Sequence, residues 1–263
     1  EADREAIATL LPKNFRPVVE PAPPYSVAEQ VRVPIALRRE RVDLFHAPHY
    51  VLPPLIHCRS VVTIHDIIHL LFPQYLPGRL AHLYARASLW GAARRSDRIL
   101  TVSETSKLDI LRRFRVPADK ITVVYNAIDV RLLAEPSPEE FARVRERYQL
   151  NHPFALYVGN IKPHKNLERL IEAFDRLRRE PGFEALRLLI IGDQISKYQS
   201  LRRAVHRHKL HKHVRFFGFV PLDTLAVLYR LASVFVFPSL YEGFGLPPVE
   251  AMACGLPVVT SNA

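Results

Sequence analysis

The sequence predicts an α/β protein built from two doubly wound, Rossmann-like parallel sheets, and three observations predict it. Short, β-branched, continuously apolar runs recur along the 263 residues, the pattern of parallel strands covered on both faces. Between them lie segments with the helical period, so that β and α alternate. Glycine use also changes along the chain. Of nine glycines only Gly78 and Gly91 precede residue 150, and five of the later seven stand at or just after strand ends. Open α/β sheets bind ligands at those ends, so the second half reads as the ligand-holding half.

In the first half the strand candidates are residues 42–45, 60–64, 98–102 and 121–125. In the second they are 155–158, 186–191, 214–217, 234–237 and 257–260. Ser103 is placed to cap a helix running to about Phe114. Within 165–180, Leu167, Leu170, Ile171, Phe174 and Leu177 share one helical face. Pro247 suits the first position of another helix. Pro136, Ser137, Pro138 and a charged segment interrupt the alternation. This divides the chain into an N-terminal domain over residues 1–135 and a C-terminal domain over 150–263. Both are expected to be truncated at the chain ends, since the chain opens on Glu1 and stops just after a strand.

Composition is globular, 48% hydrophobic and 24% charged, and no apolar run approaches the ~20 residues that span a bilayer. The charged start, Glu1-Ala2-Asp3-Arg4, is unlike a signal peptide, and Cys58 and Cys254 each lie in or beside apolar stretches. Free thiols and a reducing, cytoplasmic setting are the expectation. A net charge of +11 suits nucleic acid, anionic lipid or phosphorylated substrates alike, or simply solvated helix faces. Nucleic acid is disfavoured because aromatic residues are not interleaved with the Lys/Arg runs. His206, His208, His211 and His213 are split among helical faces among Arg and Lys neighbours, which reads as a solvated basic face and not a metal site.

Chemistry concentrates in two loops. Residues 241–252 place Glu242, Gly243, Phe244, Gly245, Leu246 and Glu250 directly after the apolar run 234–237. Strand, glycine loop and helix start together form an anion pocket of backbone N–H groups, and two carboxylates beside it suit hydroxyls attached to the anion. Residues 157–166 repeat the arrangement with Gly159, Asn160, Lys162 and Lys165, so that Lys165 can meet a phosphate. In the first half, His65-Asp66 ends the run 61–64; the pair faces a site or caps a helix.

The spacing Glu242-x7-Glu250 and the glycine loops resemble the retaining glycosyltransferases of family 4. The combination Gly-Asn-Ile-Lys-Pro-His-Lys-Asn with a strand-end His-Asp looks most like bacterial mannosyltransferases of surface-polysaccharide assembly. The resemblance implies the GT-B architecture, two Rossmann-like domains facing a cleft, with the first on the acceptor side and the second holding a nucleotide-sugar. It implies that Glu250 accepts from the ribose hydroxyls, that Glu242 and His65 approach the transferred sugar, and that Lys165 meets the diphosphate. Gly159, Asn160 and the backbone of 243–246 complete the donor site, and Gly218 and Val220 read the base. Asn160 departs from the family, which often has arginine there, so one cation of the family pattern is missing. No Asp-x-Asp triplet occurs, so fixed cations are expected in place of a divalent metal, with no cofactor beyond the nucleotide-sugar.

The reading at this point is a metal-independent retaining transferase, mannose from GDP-mannose being the best guess, acting on a glycan or lipid-linked acceptor. A sugar-nucleotide epimerase or phosphorylase on the same fold is the alternative, and a basic nucleic-acid-binding module a more distant one. Peripheral contact with the inner face of an anionic membrane is expected through Arg38-Arg39, Arg94-Arg95, Arg112-Arg113 and the apolar tract 50–56, unless that tract is buried.

Overall fold

A computed structural model describes residues 12, 14–192 and 198–262. Contacts divide the chain into two compact units, one from the residues up to Leu70 with Leu76–Val124, the other from Leu71–Tyr75 with Tyr125–Ala263.

In the first unit, helix α1 (Val27–Arg39) is capped by Ser26, whose hydroxyl accepts from Glu29 N–H. Strands β1 (Leu44–Ala47) and β2 (Arg59–Thr63) follow, then α2 (Ile68–Leu71), α3 (Arg79–Arg95), β3 (Arg98–Thr101), α4 (Glu104–Phe114) and β4 (Ile121–Val123). The strands pair in parallel in the order β1-β2-β3-β4. Ser103 caps α4 as expected, accepting from Ser106 N–H at 3.0 Å. β1 begins two residues later than the apolar pattern suggests. Val42 N–H donates to Leu37 O at 3.0 Å and so serves the end of α1. The tract 50–56 is split: Leu55 is 69% exposed, whereas the first half turns inward. Tyr50, Val51 and Leu52 pack into the core with Val62, Ile64, Leu89 and Ile99. The Arg95 guanidinium donates to the Pro53 carbonyl at 2.6 Å, giving this buried loop the donor its backbone needs.

In the second unit the order is α5 (Pro138–Tyr148), β5 (Phe154–Gly159), α6 (Leu167–Leu177), β6 (Arg187–Gly192), α7 (Gln199–Arg207), β7 (Val214–Gly218), α8 (Leu222–Leu231), β8 (Val234–Phe237), α9 (Leu246–Ala253) and β9 (Val258–Thr260). Ser137 and Glu140 cap α5 reciprocally. The sheet runs β7-β6-β5-β8-β9, every pair parallel. Residues 154–157 and 188–191 are buried without alternation, as strands covered on both faces must be. The chain winds outward from β5 through β6 to β7, then crosses to β8 and β9 on the other side. β5 and β8 therefore flank a topological switch point, and the loops leaving their carboxyl ends diverge to opposite faces, opening a crevice.

Gly192 shows how tightly those ends are drawn together. It pairs with Gly159 at the end of the β5–β6 ladder, and a Cβ on Gly192 would lie 1.9 Å from the Gly159 carbonyl oxygen. Its φ of 146° is itself one that side chains rarely adopt. Gly192→Ala should therefore destabilise the unit by about 2–4 kcal/mol through overpacking and backbone strain. Gly182→Ala, at φ 89° with nothing within 4 Å, should show only the strain, about 1 kcal/mol. Urea unfolding of the two variants measures both. Equal losses would show that the close approach to Gly159 carries no weight.

Candidate functional site

The two glycine loops leave the carboxyl ends of β5 and β8, adjacent strands at the switch point. After β5 the chain passes Gly159 and Asn160 into a single 3-10 turn, Pro163–Lys165. Asn166, at φ 58°, then redirects it into α6. The loop after β8 is docked onto this turn: Leu240 N–H donates to His164 O at 2.8 Å, and Ser239 Oγ donates to the same carbonyl at 3.3 Å. One loop thus fixes the other through backbone, before any side chain is counted.

Lys165 and Glu242 join across that seam. Lys165 Nζ donates to Glu242 Oε1 at 2.5 Å and lies 5.2 Å from the centroid of Phe237, the last residue of β8. The Lys165 side chain is only 12% exposed, and that of Glu242 27%. Lys165 sits in the turn before the helix, nearly out of water, and the aromatic face and carboxylate are what make an ammonium tolerable there.

The helix start differs from expectation in a way that sharpens the site. α9 begins at Leu246, one residue before Pro247, with Gly245 as N-cap at φ 85°. The N-cap and the first three residues of a helix have no intrahelical acceptor for their N–H groups. Here two of those four positions are Pro247 and Pro248, which have no N–H. The helix therefore leaves only the Gly245 and Leu246 amides without an intrahelical acceptor, and both face the pole where the dipole is positive.

Glu250 lies one turn further along α9, half-buried. Its Oε2 accepts from Tyr229 OH at 2.9 Å. Tyr229, on α8, is fully buried. Burial, together with the Glu250 charge and the hydrogen bond to it, drives the phenol far above the usual tyrosine range, so it stays a donor. Sequence reasoning misses Tyr229. The available signal is a tyrosine in the apolar helix 222–231, whose hydroxyl needs a partner when buried.

The remaining candidates are more dispersed. Asn160 is exposed, and its carbonyl accepts from Tyr157 OH at 3.0 Å. Gly218 ends β7 at φ 65°, with Phe219 exposed and Val220 buried, so Val220 could offer a ligand only its backbone. Gly243 and Phe244 lie half-buried between Glu242 and the helix start. In the first unit, His65 is exposed at the end of β2, and its Nε2 is 3.1 Å from Pro48 O. The Asp66 carboxylate accepts from Ile68 N–H at 2.9 Å, at the start of α2. Of the basic-segment histidines, His208 bonds Asp175 at 2.8 Å and His213 bonds Arg187, so the two serve different partners.

A cavity of about 460 Å³ opens at the amino ends of β5–β7, between His152, Arg187, Lys212 and Arg215. The switch point is the stronger site, because the glycine loops, the half-buried lysine–carboxylate pair and the helix start converge there.

Comparison with known proteins bears on the family and the fold. The profile described as Glycosyltransferase Family 4 matches residues 1–132, and that described as Glycosyl transferases group 1 matches 138–263. The chain is 37% identical to the O-antigen chain mannosyltransferase B of Escherichia coli over 86% of its own length and 59% of the relative's. It is 30% identical to the O-antigen chain mannosyltransferase RfbU of Salmonella typhimurium, over 81% of itself and 54% of RfbU. It thus spans little more than half of these relatives. Among solved structures, Anabaena HepE in complex with UDP-glucose superposes with a TM-score of 0.72 at 22% identity, covering 91% of this chain and 66% of HepE. The fold is GT-B.

The half-buried pair makes its own prediction. Lys165→Met and Glu242→Gln should each lower stability, because each strands the partner's charge. The double variant should recover part of the loss, with a coupling of about 1–2 kcal/mol in a double-mutant cycle of urea unfolding. Additive losses would mean that the two groups do not interact in solution.

Proposed function

The chain belongs to glycosyltransferase family 4, and from that premise we propose that it forms the donor-binding core of a retaining, metal-independent mannosyltransferase using a nucleotide diphosphate mannose. The observation that carries the reading is the Lys165–Glu242 pair at the switch point, beside the two amides of the α9 start. The mannosyltransferase names of its relatives support mannose, and GDP-mannose is the first donor to test. HepE binds UDP-glucose, so UDP-sugars are the second. The O-antigen chain named in these relatives makes a growing glycan chain the acceptor to test. Among the described residues no helix is long and apolar enough to cross a membrane.

In this reading the diphosphate is held by the Gly245 and Leu246 N–H groups and by Lys165. Donor entry gives Lys165 a second anionic partner, which shifts its charge from Glu242 toward the leaving group as negative charge develops there. Glu242, partly released, holds a sugar hydroxyl. Glu250, already aimed by Tyr229, accepts from the ribose. Transfer with retention follows when the acceptor hydroxyl attacks from the face on which the leaving group departs and gives its proton to a donor phosphate oxygen. The chain supplies charge and position throughout, and no covalent intermediate is needed.

Calorimetry of the full-length protein with GDP-mannose, GDP and UDP-sugars in EDTA tests the reading. Binding of at least one is expected, and an absolute requirement for a divalent ion would overturn the fixed-cation account. Glu250→Gln should weaken free nucleotide as well as donor, whereas Glu242→Gln should leave GDP or UDP affinity unchanged and abolish transfer. Lys165→Ala should lower kcat by about 10²–10³-fold, the usual consequence of removing one preorganised charge from a leaving group. Equal effects of the two glutamate variants on free-nucleotide affinity would remove the division of labour.

A further inference from the structure

The cavity at the amino ends of β5–β7 has a chemistry that the donor reading does not use. It lies at the opposite edge of the same sheet from the glycine loops, about 20 Å away along the six residues of β5. Strand register builds it. Phe154 pairs with Arg187 and Leu189 with Arg215, and residues two apart on a strand share a face, so all four point to one side of the sheet. Phe154 and Leu189 are buried and make the lining apolar at its base. Arg187 and Arg215 are half-buried beside them, and Lys212 and His152 are exposed at the rim.

Its cations have nothing opposite them. Among the described residues that line the cavity none is acidic, and residues 199–215 contain six Lys or Arg and no Asp or Glu. Arg187, Lys212 and Arg215 form no ion pair with a described residue. The Arg187 guanidinium donates instead to His213 Nδ1 at 2.5 Å, and that of Arg215 to the Tyr148 carbonyl at 2.5 Å. An imidazole that accepts from a guanidinium is neutral, so it leaves the arginine's charge uncancelled. Burial, and then the charges of Arg178, Arg187, His211 and Lys212, hold His213 below the usual histidine range. Arginines taken partly out of water are ordinarily paired with a carboxylate. Here two of them and a lysine border open space.

We propose that this cavity is a second ligand site, taking a phosphate ester carried on a compact, hydroxylated body. Two guanidinium forks and an ammonium match the oxygens of a doubly charged oxyanion. The rest of the lining, Leu150 with the side-chain amides of Gln149 and Asn151, suits a small polar body. A volume of about 460 Å³ falls within the roughly 300–1,000 Å³ of small-molecule sites. A solvated basic face would spread its charges over convex surface, whereas these converge on a hollow with an apolar base. The inference goes beyond the donor reading and does not rest on it. Arg215 also closes the end of α5 through the Tyr148 carbonyl, so the variants that test the site leave it in place.

The test is calorimetry of the full-length protein with glucose 1-phosphate, inorganic phosphate and a single-stranded RNA. Glucose 1-phosphate should bind, and more tightly than inorganic phosphate. R187Q/K212M should weaken it by about 100-fold, about tenfold for each charge-assisted bond lost. R202Q/R203Q removes the same charge from exposed positions on α7 and should keep the parental affinity. Lys165→Met, which disarms the donor crevice, should keep it too. Lys212 is exposed, so K212M should melt with the parent, and its tenfold loss carries the test if R187Q disturbs folding. Three results overturn the proposal: neither phosphate binding, a loss in R202Q/R203Q equal to that in R187Q/K212M, or a loss that follows Lys165→Met. Equal affinity for the two phosphates overturns the ester, and RNA bound in place of both would assign the basic face to nucleic acid instead. If glucose 1-phosphate binds as described while no nucleotide-sugar does, this site stands and only the donor reading fails.

Discussion

Everything at the candidate site depends on β5 and β8 being neighbours. Two parallel strands that are sequence-distant but adjacent in the sheet must send their following loops to opposite faces, and the gap between those loops is where backbone N–H groups can face a ligand. Here the gap is narrowed by bonds from Leu240 and Ser239 to the His164 carbonyl, and by the ammonium–carboxylate contact of Lys165 with Glu242. The ion pair is the exacting element. An ammonium that is 12% exposed would lose much of its hydration without return were the carboxylate not within hydrogen-bond reach. The same arrangement holds the ammonium largely out of water, where it acts more strongly on an anion than it would in bulk solvent.

Much of this is legible in the residues alone, and the reasons are local. Parallel strands buried on both faces announce themselves as apolar runs, and β5 through β8 sit within a residue of where the runs place them. Ser103 caps α4 because a short hydroxyl side chain after an extended segment has few other uses. Glycines at the ends of β5, β6 and β7 read as ligand-facing; Gly192 shows that one of them also answers a packing demand from the neighbouring strand.

What the residues alone do not reveal depends on partners far along the chain. Lys165 reads as a phosphate-facing cation, but its carboxylate partner 77 residues away is invisible in the sequence. The loop at Tyr50–Leu52 looks like exposed apolar surface until Arg95, more than 40 residues on, proves to satisfy its carbonyls. β1 starts late because Val42 is spent on closing α1. α3 has a helical pattern, but leucines and alanines occupy both sides of it. Only packing decides that the alanine-rich side goes inward, where the helix can approach the sheet closely, and leaves Leu80, Leu83 and Trp90 outside.

The proline pair that opens α9 has a meaning beyond stiffness. A helix start normally offers a ligand a loose ring of donors, any of which can donate to a misplaced oxygen or a water. Removing two hydrogens from that ring makes the pole selective by subtraction: an anion seated there is held at two points, Gly245 and Leu246, and its orientation about the helix axis is no longer free. The direction in which the rest of the ligand leaves the crevice is then set by atoms the chain does not have.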